Sequence, residues 1–169
     1  MKKPAILDAC CGPRKFWFDS HDPRALFVDN RSEEYLVSDC GCDGGKRKIT
    51  VKPDVVADFR NLPFPDGAFS IVVFDPPHLT ANRVGKKSFM FANYGALDAV
   101  TWREDLSAGF SECFRVLKTE GTLIFKWAET NIPLRDVLSC TKNKPLFGNK
   151  MPKSAGTHWV VFMKTEVQP

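Results

Sequence analysis

The residues with the most chemistry in their types and spacing are Asp75-Pro76-Pro77-His78. Two prolines in a row fix φ twice and remove two N–H groups, so the turn is stiff and its carbonyls stay free to accept hydrogen bonds. Such a turn can hold an amino group. Asp75 would accept one N–H, the Pro76 carbonyl the other, and His78 would offer a flat face for stacking. The same residues also suit an ordinary strand followed by a proline-rich turn, and the motif alone does not choose between the two.

The elements around the motif must place it. Phe69 to Phe74, FSIVVF, is a nearly uninterrupted β-branched and aromatic run, the pattern of a central parallel strand buried on both faces. The carboxyl end of such a strand opens onto the crevice where open α/β sheets bind ligands. Earlier runs end in acids in the same way. Ala5 to Ala9 carries Asp8 and leads into the turn Cys10-Cys11-Gly12-Pro13, after which Arg14 to Phe18 is predicted to open a helix. That order would bring backbone N–H groups to a ligand. Ala25 to Val28 ends in Asp29, seventeen residues beyond Gly12, where an acid can take ribose hydroxyls; a helix cap or a solvated loop acid would look the same. Asp54 to Asp58 is a third short strand.

Between these runs, Ser38 to Lys52 reads as an exposed, glycine-rich hairpin, and its Lys46-Arg47-Lys48 cluster is more often a solvated face than a nucleic-acid contact. Pro63 and Pro65 keep Arg60 to Phe69 a loop. Leu79 to Val100 interleaves Arg83, Lys86, Lys87, Phe89, Phe91 and Tyr94. It fits a lid that grips phosphate and stacks bases, or a partly helical connection whose aromatics pack on the sheet. Trp102 to Leu117 is the clearest helix, with Leu106, Phe110, Cys113, Phe114 and Leu117 along one face, and Gly121 is expected to end it. Thr122 to Trp127 is a buried strand, Ile132 to Cys140 a short helix, and Phe147 and His158 to Lys164 closing strands joined by the polar loop from Gly148 to Thr157.

A chain of 169 residues suits one domain, spanning 1–169, and 43% hydrophobic with 26% charged residues is ordinary for a globular protein. No apolar run reaches membrane-spanning length, and Asp8 comes too soon for a signal peptide's apolar region; a cytoplasmic protein is expected. A net charge of +4 is compatible with a nucleic-acid partner without requiring one. Six cysteines without a secretion signal read as reduced thiols. Neither Cys10-Cys11 nor Cys40-Gly41-Cys42 has the spacing of a zinc knuckle, so no metal is expected.

In order, ILDACCG, FVDN, DVVADFRNLPF, FSIVVFDPPH and FRVLKTEGTLIFKW resemble a class I S-adenosylmethionine-dependent methyltransferase from end to end. The chain is especially similar to small phage and prophage methyltransferases that carry the same Asp-x-Cys-Cys-Gly and Asp-Pro-Pro-His signatures. The alternation of strands and helices implies an α/β sheet with helices on both faces. The resemblance makes this a single Rossmann-like, doubly wound, seven-stranded sheet, mostly parallel, with THWVVFMK as the antiparallel last strand. It implies S-adenosyl-L-methionine as cofactor, with Asp8, Ala9, Cys10, Cys11 and Gly12 meeting its methionine part, Asp29 its ribose, Asp58 and Phe59 its adenine, and Asp75 also touching it. Asp75, Pro76, Pro77 and His78 match the (Asp/Asn)-Pro-Pro-aromatic motif that presents a nitrogen to the methyl group. Two motifs depart from the family's pattern: Cys10 and Arg14 stand at the first and third places of its Gly-x-Gly-x-Gly turn, and His78 stands where Tyr, Phe or Trp is commoner.

The expected activity is N-methylation of an exocyclic amino group of nucleic acid, with adenine N6 in DNA favoured over RNA. Arg83, Lys86, Lys87, Phe89 and Tyr94 are the candidate substrate contacts. The alternatives are an RNA or protein-glutamine N-methyltransferase, and a cofactor-binding protein of this fold without turnover.

Overall fold

A computed structural model describes residues 4–39, 41, 43–149 and 156–165. Cys40 and Cys42, and residues 150–155 of the loop before the last strand, lie outside the described residues. Seven strands form one sheet: β1 (Ile6–Asp8), β2 (Ala25–Asp29), β5 (Val55–Val56), β6 (Phe69–Phe74), β7 (Leu117–Ala128), β8 (Phe147–Gly148) and β9 (Thr157–Met163), in the order β5-β2-β1-β6-β7-β9-β8. A separate antiparallel hairpin pairs β3 (Glu33–Ser38) with β4 (Lys46–Val51), so it begins five residues earlier than the glycine-rich stretch alone implied. The order runs outward from β1 in both directions. The β2–β1–β6–β7 pairings are parallel, and β9 runs antiparallel between β7 and β8.

The main core lies between one sheet face and α2 (Trp102–Val116), which packs on β6 and β7. Its apolar stripe, Leu106, Phe110, Cys113 and Phe114, meets Val72, Phe74, Leu123, Phe125 and Phe162. Acids at Glu104 and Asp105 and a base at Arg115 suit the helix dipole. Gly109 has no room for a side chain: a Cβ there would lie 2.6 Å from the Phe59 ring and 2.7 Å from that of Phe74. Arg115 fastens the 57–68 loop by donating to the Leu62 and Phe64 carbonyls. Two boundaries differ from expectation. The strand expected from Thr122 to Trp127 begins already at Leu117, directly after α2, where Leu117 pairs with Phe69 in the sheet, and the helix expected over 132–140 is only α3 (Leu134–Leu138).

The opposite face carries the larger correction. No helix opens at Arg14; residues 9–24 form a chain of turns. Arg14 takes a positive φ of 56°, and Trp17 N–H bonds back only three residues, to the Arg14 carbonyl. The Arg14 guanidinium instead staples this segment to the β2–β5 edge, donating to the Ser20 and Lys52 carbonyls and to Asp54 and lying 3.9 Å over the Phe27 ring. Trp17, Ala25 and Phe27 form the small core on this side. Among the described residues the α-helices belong to the second half of the chain, and turns and the hairpin occupy the first-half connections.

Candidate active site

The parallel strands bring their carboxyl ends to one edge, and a cavity of about 560 Å³ opens there, within the range that holds small ligands. Ala9, Cys10, Cys11 and Gly12 from the first turn line it, with Asp29, Asp58, Phe59, Asp75, Pro77 and Tyr94. Asp8 is fully buried behind the wall, and Pro76 and His78 are buried beside it rather than lining it. Arg83, Lys86 and Lys87 are exposed outside the cavity. Phe89 does not reach it either: it opens α1 (Phe89–Tyr94) and packs against Val37 and Ile49 of the hairpin, with Lys15 and Arg47 over its ring. The 79–100 segment is thus a partly helical connection, and only Tyr94 of the five candidate substrate residues lines the cavity.

The first turn presents acceptors to a ligand, not donors. Its amides are all engaged: Ala9 N–H on the Val73 carbonyl, Cys11 on Val28, Arg14 on Cys11, Cys10 on Asp8 and Gly12 on Asp29. With no helix start and no free N–H groups at these positions, the turn is unsuited to a phosphate. Gly12 is obligatory for two reasons. Its φ is +48°, and a Cβ would stand 2.9 Å from the Asn93 carbonyl oxygen of α1. Arg14, at the third glycine place of the resembled motif, adopts the left-handed conformation itself, and the bonds of its guanidinium offset that cost.

Asp29 is held hard. Its oxygens accept from Gly12 N, Arg31 N, Arg31 Nε and Arg31 Nη2, and Arg31 Nη1 continues to the Phe91 and Ala92 carbonyls of α1. Asp58 is held likewise by Arg60, which also reaches Asp105. The sequence reading missed both arginines, although a signal existed. Asp22-Arg24, Asp29-Arg31 and Asp58-Arg60 share an Asp-x-Arg spacing, and in each the arginine amide and Nε bond the same carboxylate oxygen, the local closure that aspartate makes two residues on.

Lys126 was also missed. The register pairs Phe74 with Phe125, so Asp75 and Lys126 follow side by side on neighbouring strands. Lys126 Nζ lies 2.6 Å from Asp75 Oδ2, and both side chains are largely buried, 19% and 12% exposed. The ammonium also faces the rings of Phe16 and Trp159, at 5.4 and 5.8 Å. Asp75 Oδ1 takes no hydrogen bond among the described residues. Burial raises the Asp75 carboxyl, and the Lys126 charge pulls it back down. Burial first, then Lys126, pushes His78 down to about 4, so this imidazole is neutral at physiological pH. It packs on Tyr94 with centroids 4.9 Å apart and planes at 60° and does not present a face to the cavity. Burial drives Asp8 up to about 7 against the opposing hydrogen bonds from Trp17 and Cys10. Burial also raises the thiols of Cys10 and Cys11, making them inert at neutral pH. Asn93 Oδ1, on a cavity-lining residue, is the one buried side-chain acceptor among the described residues without a partner.

No protein-family model matches the sequence, and no curated protein sequence does. Solved structures do match the fold. A protein of Pyrococcus horikoshii OT3 aligns at a TM-score of 0.56 with 17% identity, over 95% of this chain and 81% of that one. An S-adenosylmethionine-dependent methyltransferase of Methanosarcina mazei aligns at 0.53 with 12% identity, over 95% and 92%. The chain has the class I methyltransferase fold. A Burkholderia thailandensis 1,6-didemethyltoxoflavin-N1-methyltransferase with bound S-adenosylhomocysteine gives 0.50 and 13% identity, over 95% and 71%. The seven-stranded order with β9 reversed is consistent with this fold; in this chain turns and a hairpin connect the strands of the first half. No group of described residues could hold a metal ion, and no helix among them is long and apolar enough to cross a membrane.

Proposed function

We propose that this chain is an S-adenosyl-L-methionine-dependent N-methyltransferase whose acceptor is an exocyclic amino group of nucleic acid, adenine N6 in DNA being the first to test. The observation that carries the reading is Asp75 at the cavity wall, with one carboxylate oxygen tied to Lys126 and the other open. The character of the cavity supports the cofactor. Its first-turn amides are all consumed, which suits a cationic ligand without phosphates. Ala9, Cys10, Cys11 and Gly12 would hold the methionine part, Asp29 the ribose, and Asp58 with Phe59 the adenine. Bound there, the cofactor supplies an electrophilic methyl group.

The protein's own residues do the rest. Asp75 Oδ1 accepts one N–H of the target; Pro76, whose carbonyl was expected to accept the other, does not line the cavity. The bond to Asp75 orients the nitrogen lone pair toward the methyl group; as the nitrogen–methyl bond forms the sulfur–methyl bond breaks with its electron pair left on sulfur, the carboxylate stabilises the positive charge that develops on nitrogen, and the surplus proton leaves to water. Neutral His78, with Tyr94, supports the turn from behind. A target inside a duplex has to be flipped out, at a cost of a few kcal/mol. The Asp-Pro-Pro-His and Asp-x-Cys-Cys-Gly signatures favour the small phage and prophage group as the source of the chemistry.

One observation favours the reading without turnover: Arg31 and Gly12 already engage both oxygens of Asp29, so a ribose must displace part of that set. The experiment is calorimetry with S-adenosylmethionine, then transfer of a tritiated methyl group to DNA, RNA and protein pools. Label in DNA on N6-methyladenine supports the proposal. Label only in RNA or in protein glutamine moves the acceptor, binding without label makes the protein a binder, and no binding refutes the cofactor.

A further inference from the structure

The geometry points to Lys126 as a positioning residue that fixes the Asp75 carboxylate and keeps it ionised, so that one oxygen alone receives the target amine. The role in turnover rests on the methyltransferase reading; the effect on Asp75 does not.

The placement follows from the sheet. β7 alternates: Leu123, Phe125 and Trp127 face the α2 core, and Lys126 faces the other side. There its ammonium lies near the rings of both Phe16 and Trp159, Trp159 being its direct partner on β9. A lysine so enclosed has few rotamers open to it, and its ammonium is held at Asp75 Oδ2. The aromatic faces add a favourable cation–π contribution. The ammonium thus biases the carboxylate toward one orientation, with Oδ1 the oxygen that has no partner among the described residues.

The charge follows from the neighbours. From β1, Asp8 faces Asp75; from the first turn, Cys10 does; Asp29 at the end of β2 faces those two in turn; and His78 follows in the same motif turn, against Tyr94 of α1. None of these brings a positive charge, burial keeping the His78 imidazole neutral. Trp159 brings no charge from β9. Lys126 is thus the cation that opposes the effect of burial on Asp75. A carboxyl that took up a proton would donate a hydrogen bond where the target needs an acceptor.

The test uses full-length protein with 13C-labelled aspartate, the Asp75 side-chain carboxyl signal being identified by its loss in Asp75→Asn. In Lys126→Met the Asp75 titration should move to higher pH, and the His78 imidazole titration should move up with it. Lys126→Arg should leave both near wild type. Lys126→Gln, closer in shape and polarity, is measured in parallel so that a folded neutral variant is in hand. In the same proteins, methyl transfer to an adenine-containing single-stranded oligonucleotide should fall at least about tenfold in kcat at pH 6.5 in the neutral variants. It should recover partly at pH 8.5, with KM for S-adenosylmethionine held within about threefold, and Arg should restore it. An Asp75 titration unmoved in the neutral variants overturns the inference. If wild type transfers no methyl group to any acceptor, the methyltransferase reading fails instead, and the aspartate titration still decides the role of Lys126.

Discussion

Gly12→Ala tests whether the first turn and α1 are closely joined. The alanine must keep a φ of +48°, which costs about 1–2 kcal/mol for a residue with a Cβ. The new methyl stands 2.9 Å from the Asn93 carbonyl oxygen, which cannot retreat alone. α1 is pinned through Arg31 to Asp29 and closed by the Gly95 N–H on the Phe91 carbonyl. Moving that helix adds about 1 kcal/mol or more, as overpacking does. The sum, about 2–3 kcal/mol, lowers Tm by about 5–10 °C in a domain of this length. Gly45→Ala is the control, since its φ is +65° but nothing lies within 4 Å of the new methyl; it should show the strain alone. Thermal unfolding of both variants, with calorimetric binding of S-adenosylhomocysteine, measures the difference. Equal Tm losses for the two would refute the close approach of α1 to the turn.

Asp29→Ala should weaken S-adenosylhomocysteine at least about tenfold, since each charge-assisted bond to a ribose hydroxyl is worth about 1.5–3 kcal/mol; an unchanged Kd in a folded variant removes Asp29 from the site. Asp75→Ala should leave cofactor Kd within about threefold and lower turnover at least about a hundredfold, the mark of an interaction made mainly in the transition state; lost cofactor binding with intact turnover at saturation contradicts it. Asp8, at about 7 in the folded protein against 3.8 when exposed, contributes stability that is full below about pH 3.8 and lost as pH rises through about 7. Asp8→Asn should therefore keep its urea midpoint between about pH 4 and 7 while wild type declines, and parallel curves would count against this. His78, held at about 4 against 6.5, contributes stability present above about pH 6.5 and lost as pH falls toward about 4; His78→Phe should flatten that acid decline, and wild type itself should already show no titration of turnover near 6.5 from this ring.

Much of the sheet could be read locally because burial on two faces demands an unbroken apolar run. Ile6–Leu7, Leu26–Val28 and Ile71–Phe74 are such runs, and the acids at 8, 29 and 75 mark where each strand meets the crevice. The helical period around Leu106 and Phe110 was equally plain, because a single face repeated every three or four residues against the sheet. Nothing local excluded a helix after Pro13. That segment became turns because Arg14 found carbonyls and an acid on a distant strand edge, which satisfied the chain better than helical bonds could. The His78 ring, legible as a stacking face, was turned inward by Tyr94, sixteen residues away. Arg31 and Arg60 could have been found from their Asp-x-Arg spacing. Lys126 could not, for it stands fifty-one residues from Asp75, and only the parallel register of β6 and β7 makes them neighbours. The sequence by itself thus determined which strand ends carry acids. The tertiary structure decided which cation stands beside each acid and which oxygen remains open, because both depend on pairings between segments that share no local signal.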